Sequence, residues 1–138
     1  MLTEKVGRAE LYLADCMDLM KDYPDKAFDI AIVDPPYGDS GEEWRVSRTG
    51  GTWARKYQTE GGSPVDIRHW DVPPSEDYFN QLFRISKYQV IWGGNYFALP
   101  PTRNFLIWRK LTISENFSMA MAEYAWTNIP GNAKVFEC

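Results

Sequence analysis

Soft metal ligands are nearly missing from this chain of 138 residues, which has two cysteines, Cys16 and Cys138, and a single histidine, His69. Two thiols so placed give no disulfide framework and no zinc-ligand spacing, so a reduced, metal-free protein is expected. Long apolar runs are missing too. None approaches the roughly 18 residues of a membrane-spanning helix, and Met1-Leu2-Thr3-Glu4-Lys5 has neither the charged nor the apolar region of a secretory signal. A cytoplasmic protein with no membrane partner is the expectation. Nor is there an excess of positive charge: the net charge is −4. A nucleic-acid partner would therefore have to be held by a local Lys and Arg cluster rather than by the field of the whole molecule.

What is present is enough for a core. The composition is 44% hydrophobic with six tryptophans, and the length suits one domain over 1–138 rather than two. Residues Ala9 to Leu13 read as a short strand ending at Ala14-Asp15-Cys16. Met17 to Asp22 reads as a helix stopped by Tyr23-Pro24-Asp25, and the apolar run Phe28 to Val33 as a second strand, which together predict a βαβ unit. Residues Asp39 to Ile67 form a long loop with no sustained periodicity. Pro73-Pro74-Ser75-Glu76 opens a helix with Ser75 as N-cap, and Tyr78, Phe79, Leu82, Phe83 and Ile85 supply its apolar face. Gln89 to Trp92, Asn104 to Arg109 and Met119 to Thr127 complete the predicted strands. Trp108 and Trp126 are expected in the core.

The most telling stretch is Asp34-Pro35-Pro36-Tyr37, followed by Gly38. The Ile30-to-Val33 run is β-branched and apolar on both faces, as in a strand buried between helical layers. Asp34 is thus expected at the carboxyl end of a core strand, where open α/β sheets hold their ligands. Two prolines in succession stiffen the turn and leave carbonyl oxygens free to accept. Such a corner suits a flat guest bearing an amine: carboxylate and carbonyl accept from the NH₂, and the Tyr37 ring stacks on the base. An ordinary strand-terminating turn is the plainer alternative.

Three further constellations have two readings each. Asp15 either hydrogen-bonds the amino group of an adenine moiety or caps the following helix. Gly93-Gly94-Asn95 is either a close-approach turn at the floor of the site or a plain turn, glycine letting backbone come near a ligand. The loop between Trp44 and Thr59 carries Arg45, Arg48, Arg55 and Lys56 with no acid among them. It is either a solvated face or, with Trp44, Trp53 and Tyr57 interleaved, a grip on DNA phosphates.

The order of these features resembles the amino-terminal half of the β-group DNA amino-methyltransferases of bacteria and phages. These transfer a methyl group from S-adenosylmethionine to the exocyclic amine of adenine or, less often, cytosine. The resemblance rests on Ala14-Asp15-Cys16, on Phe28 through Gly38, on Ile91-Trp92-Gly93-Gly94-Asn95-Tyr96-Phe97, and on Ala122-Glu123-Tyr124-Ala125-Trp126. It implies a partial Rossmann-like α/β methyltransferase sheet, with Asp34, Pro35, Pro36 and Tyr37 as the catalytic turn and Asp15, Cys16 and Asp34 facing the cofactor. It also implies DNA as partner and a bacterial or phage source. An acid in first place of the tetrapeptide favours adenine N6 over cytosine N4, where serine is commoner in the family.

The chain departs from the family in lacking a His-Pro-Thr-Gln-Lys-Pro-like segment and a glycine-rich Phe-x-Gly-x-Gly-like turn that cradles the cofactor. In the family's sheet the two strands of that carboxyl-terminal half lie between the strand of Asp15 and the strand of Asp34. A fragment or truncated relative is therefore expected, with unpaired edges that invite a second copy or strand exchange, and with weak or no binding of S-adenosylmethionine on its own. The alternatives are a catalytically silent DNA-binding fragment or subunit, an N4-cytosine methyltransferase, and an unrelated nucleotide-binding α/β domain.

Overall fold

A computed structural model describes residues 2–38, 72–116 and 120–138. It is a mixed α/β structure. Strand β1 (Leu2–Val6) and strand β2 (Ala9–Leu13) form an antiparallel hairpin in register Leu2↔Leu13 to Val6↔Ala9. Its turn uses Gly7 at φ 62°, a left-handed conformation that glycine adopts without strain. Helix α1 (Cys16–Asp22) follows, and then strand β3 (Phe28–Val33). Helix α2 (Glu76–Ile85) runs directly into β4 (Ser86–Trp92), which ends in a short 3₁₀ turn at Gly94–Tyr96. Strands β5 (Asn104–Arg109), β6 (Ala122–Thr127) and β7 (Lys134–Glu137) complete the described elements.

Five strands make the main sheet in the order β3-β4-β6-β5-β7. Strands β3 and β4 are parallel, β6 is antiparallel to both β4 and β5, and β7 runs parallel to β5. The core lies on one face of this sheet, where Phe79, Leu82 and Ile85 of α2 and Met20 of α1 meet Ile91 and Trp126. Ala31 and Val33 of β3 and Phe105 of β5 pack against the same cluster. Trp126 satisfies its indole N–H by donating to the Pro100 carbonyl at 2.7 Å, which removes the penalty of burying a polar tip.

Helix α1 is tied down by chemistry as well as by Met20. The Arg84 guanidinium on α2 donates to the Met20 carbonyl at 2.6 Å and the Tyr23 carbonyl at 2.7 Å, and pairs with Asp25 at 3.1 Å. It thereby adds a charged donor to the Met20 carbonyl, which otherwise accepts only a 3.3 Å bond from Tyr23 N–H, at the helix end where a cation is favoured. Lys26 does the reverse, donating from Nζ to the Phe83 carbonyl at 2.7 Å and the Ser86 carbonyl at 3.1 Å. These crossed contacts fix where β3 begins relative to α2 and β4.

Several expectations are corrected. The predicted βαβ unit does not form, because β2 spends its hydrogen bonds on β1 in a separate sheet and does not join β3. Strand β3 is not buried on both faces. Among the described residues it is the edge of the main sheet, and while Ala31 and Val33 face the helices, Ile30 and Ile32 on the opposite face are 45% and 66% exposed. No described helix covers that face. The same alternation places Trp108 on it, 36% exposed beneath the Lys110 ammonium, rather than in the core beside Trp126. Strand β6 begins at Ala122; Met119 lies outside the described residues, as does the predicted loop Asp39 to Ile67. Ser75 stands at the N-cap position of α2 without a side-chain capping bond. Neither described helix is long and apolar enough to cross a membrane.

Replacing Arg84 by Met should keep the packing of its stem and strip away two charged hydrogen bonds to the end of α1. Each such bond contributes on the order of 1.5–3 kcal/mol, so a loss of about 3 kcal/mol is expected as a lowered urea midpoint with unchanged slope. An unchanged midpoint would mean that α1 is held by Met20 alone.

Candidate active site at the carboxyl rim of β3 and β4

Parallel pairing aligns Val33 with Ile91, so the segments that leave β3 and β4 emerge side by side at one rim. Asp34 follows Val33 at once, exposed, and the chain then buries Pro35 and half-buries Pro36 and Tyr37. Gly38 at φ 72° ends the corner in a left-handed conformation, and a Cβ there would come to 2.7 Å from Pro73 Cδ. The tetrapeptide is therefore clamped between a strand end and the prolines that lead into α2.

The Tyr37 side chain folds back on its own turn. Its hydroxyl donates to Asp34 Oδ1 at 2.6 Å, and its ring stacks on Tyr96 with centroids 4.8 Å apart and planes 21° from parallel. Phe97 closes a third side at 6.1 Å. This packing needs Gly93, which has φ 65°, and a Cβ on it would overlap Tyr37 Cε1. Gly94 is held as tightly on its other side, since a Cβ there would meet the Trp126 backbone nitrogen at 3.0 Å. Backbone bonds fix the loop in place: Gly93 N–H donates to the Tyr124 carbonyl and Tyr96 N–H to the Gly93 carbonyl, both at 2.8 Å. The close neighbours of Gly93 and Gly94 are side chains of the protein itself, Tyr37 and Trp126.

The Tyr37 phenol is pushed well above its ordinary range, first by burial and then by the hydrogen bond and charge of Asp34, with Glu123 and Tyr96 adding. Its neutral, donating form is thus the one the site favours. Glu123 is itself paired with Lys110.

On the other side of Asp34 lies a cavity of about 430 Å³, bordered by Cys16 and Met17 of α1, by Asp34, Pro35 and Pro36, and by Tyr78 of α2. Burial pushes the Tyr78 phenol up to about 12, with Cys16 contributing. The structure therefore brings Cys16 together with the tetrapeptide, and adds Met17 and Tyr78, which no sequence pattern singled out for this role. Tyr78 also keeps its expected place against Phe79, edge-on with centroids 5.2 Å apart. Asp15 is elsewhere. Its Oδ1 accepts from Met17 N–H at 2.8 Å as the N-cap of α1, and it borders a separate hollow with Asp18 and Asp22. Arg45, Arg48, Arg55 and Lys56, the candidate DNA-binding residues, lie outside the described residues, and so does His69. Among the described residues no group of three or more His, Cys, Asp and Glu is placed to hold a metal ion.

Replacing Asp34 by Asn should bring the Tyr37 phenol down toward its ordinary value near 10, because one charge that opposes ionisation is removed while burial remains. A raised tyrosine makes the fold lose stability as pH climbs above the unfolded value of about 10, and the variant should show less of that alkaline loss. Ultraviolet titration of the phenolate, with urea unfolding at two alkaline pH values, measures both. No model of a known protein family matches this chain, and no curated protein matches it either.

Proposed function

We propose that this chain carries the base-binding corner of an S-adenosylmethionine-dependent DNA methyltransferase acting on the N6 amine of adenine. One observation supports this above the others. An acid-Pro-Pro-Tyr turn stands at the joint carboxyl rim of two parallel strands, with Asp34 bordering a cavity and the tyrosine ring mounted on a second aromatic. The amine of adenine is a poor nucleophile because its lone pair is delocalised into the ring. Hydrogen bonds from that amine to the Asp34 carboxylate and the Pro35 carbonyl localise the pair on nitrogen and aim it at the methyl carbon. Tyr37 supplies the face on which the extruded base lies, holding nitrogen in line.

S-adenosylmethionine supplies a methyl group on a positively charged sulfur, whose bond to carbon breaks as the nitrogen–carbon bond forms. The cavity beside Asp34 fits the charged end of such a donor in kind: Asp34 gives an opposite charge, Met17 a soft apolar contact and Tyr78 an aromatic face for a cation. Its volume falls within the usual range for small-molecule sites, about 300–1,000 Å³. Asp15, engaged as a helix cap, is not part of that cavity, and the walls offer few polar partners for a sugar or an amino-acid tail. That supports weak binding of the donor by this chain by itself. The exposed edge of β3, with Ile30 and Ile32 uncovered, favours completion by another polypeptide segment, either from a second copy or by strand exchange. DNA is the partner of the reading, gripped in part by the Arg45 to Lys56 segment.

Asp34→Ala should reduce methyl incorporation by about 100-fold or more, the usual scale for losing a group that stabilises the reacting centre. DNA affinity should change less than about threefold. The assay is labelled-methyl transfer into adenine of unmethylated DNA, with the chain alone and with the chain co-expressed with the sequence encoded downstream of it. Equal transfer by wild type and variant would end the catalytic assignment. DNA binding with no transfer from either preparation would leave a silent DNA-binding module, and label found in cytosine would move the substrate to N4.

A further inference from the structure

We infer that Tyr96 is a positioning residue of this site, acting through Tyr37 by holding its ring as a fixed platform for a purine. The inference rests on the base-binding reading above and adds a residue to it. Tyr37 is held in the structure by the 2.6 Å hydrogen bond to Asp34, by the stack on Tyr96 and, less squarely, by Phe97 at 6.1 Å with planes 60° apart. An amine arriving at Asp34 competes with the first, since the phenol and the amine are both donors to one carboxylate. The second hold survives the exchange. Without it, a phenol that let go of Asp34 would keep only the tilted contact with Phe97, and the plane of its ring would no longer be fixed.

Three features set Tyr96 apart from an ordinary packed aromatic. It is 55% exposed, so the hydrophobic core does not require it. It sits on a 3₁₀ turn anchored by two backbone bonds of 2.8 Å to Gly93 and Tyr124, which makes it a stiff support. And the residue against the Tyr37 ring is Gly93, whose lack of a Cβ is what lets Tyr37 descend onto the loop. Rigid support, close approach and a near-parallel ring together build a surface whose orientation is set before any guest arrives.

The test uses a thymidine oligonucleotide carrying one 2-aminopurine, whose fluorescence is quenched when it stacks on an aromatic ring. This base has a purine face and no 6-amine, so it reports the platform separately from Asp34. With wild type, binding should bring quenching, and Tyr96→Phe, which keeps the ring, should match it. Tyr96→Ala and Tyr96→Leu should bind the oligonucleotide within about threefold of wild type yet show quenching weakened by about two- to tenfold, the range an aromatic pair contributes. Quenching by Ala and Leu variants equal to wild type would overturn the inference and leave the base-binding reading standing. Absence of quenching with wild type itself would overturn both. Loss of far-ultraviolet circular dichroism in both variants would make Tyr96 a structural residue and overturn the inference as well.

Discussion

The parallel register of β3 on β4 is the constraint from which the rest of the site follows. Pairing Val33 with Ile91 makes both chains leave the sheet at the same height, so that the corner after β3 and the glycine turn after β4 become neighbours. Tyr37 meets Gly93 for that reason and no local one. The register is itself held by burial. Ile91 is fully buried against α2 and Trp126 is 4% exposed beside it, and a one-residue slip would exchange every inward side chain of β4 for an outward one. The outward neighbour Val90 is buried as well, 5% exposed, so β4 is packed on both faces and a slip would misfit side chains of different shape on each.

On that frame the site divides its work between two sides of one carboxylate. Asp34 faces the aromatic cluster through Oδ1 and at the same time borders the cavity shared with Cys16, Met17 and Tyr78. A guest base and a charged donor would thus approach the same group from different directions. The prolines matter here because they hold the backbone still while side chains exchange partners. With φ already fixed at both positions, little conformational entropy remains to be lost when a guest binds.

Much of this was legible in residue order and some was not, for identifiable reasons. β-Branched and aromatic runs located β3, β4 and β5, and Asp34 to Tyr37 stood out because few sequences join an acid, two rigid residues and a ring. Asp15 was legible as a cap, which it is. The edge position of β3 was not legible: an apolar run reports what a strand would bury, whereas Ile30 and Ile32 are exposed because no described element lies over them. Strand β7 escaped notice because Lys134–Glu137 is short and exposed throughout, leaving no hydrophobic period to detect. Tyr96 and Tyr78 escaped as site residues because each meets the tetrapeptide only across a strand or helix boundary. The one signal available for Tyr96 was the pair of glycines before it. Two glycines at the end of a buried strand announce that something comes close, without saying what.

The open side of β3 bears on the site more directly than an exposed edge elsewhere would. Val33 ends that strand and also borders the cavity beside Asp34. A strand laid along β3 would therefore run toward the cavity and supply a wall on the side where polar partners are now few. Its backbone would pair the row of N–H and C=O groups that no described strand pairs, and its side chains would lie beside Ile30 and Ile32. A donor bound in the cavity would gain contacts from the same segment. Because coupling of this kind is reciprocal, the factor by which an added strand would strengthen donor binding is the factor by which bound donor would strengthen strand addition. The apolar walls of the cavity and the β3 edge that no described strand pairs thus adjoin at Val33, so one added segment would change both.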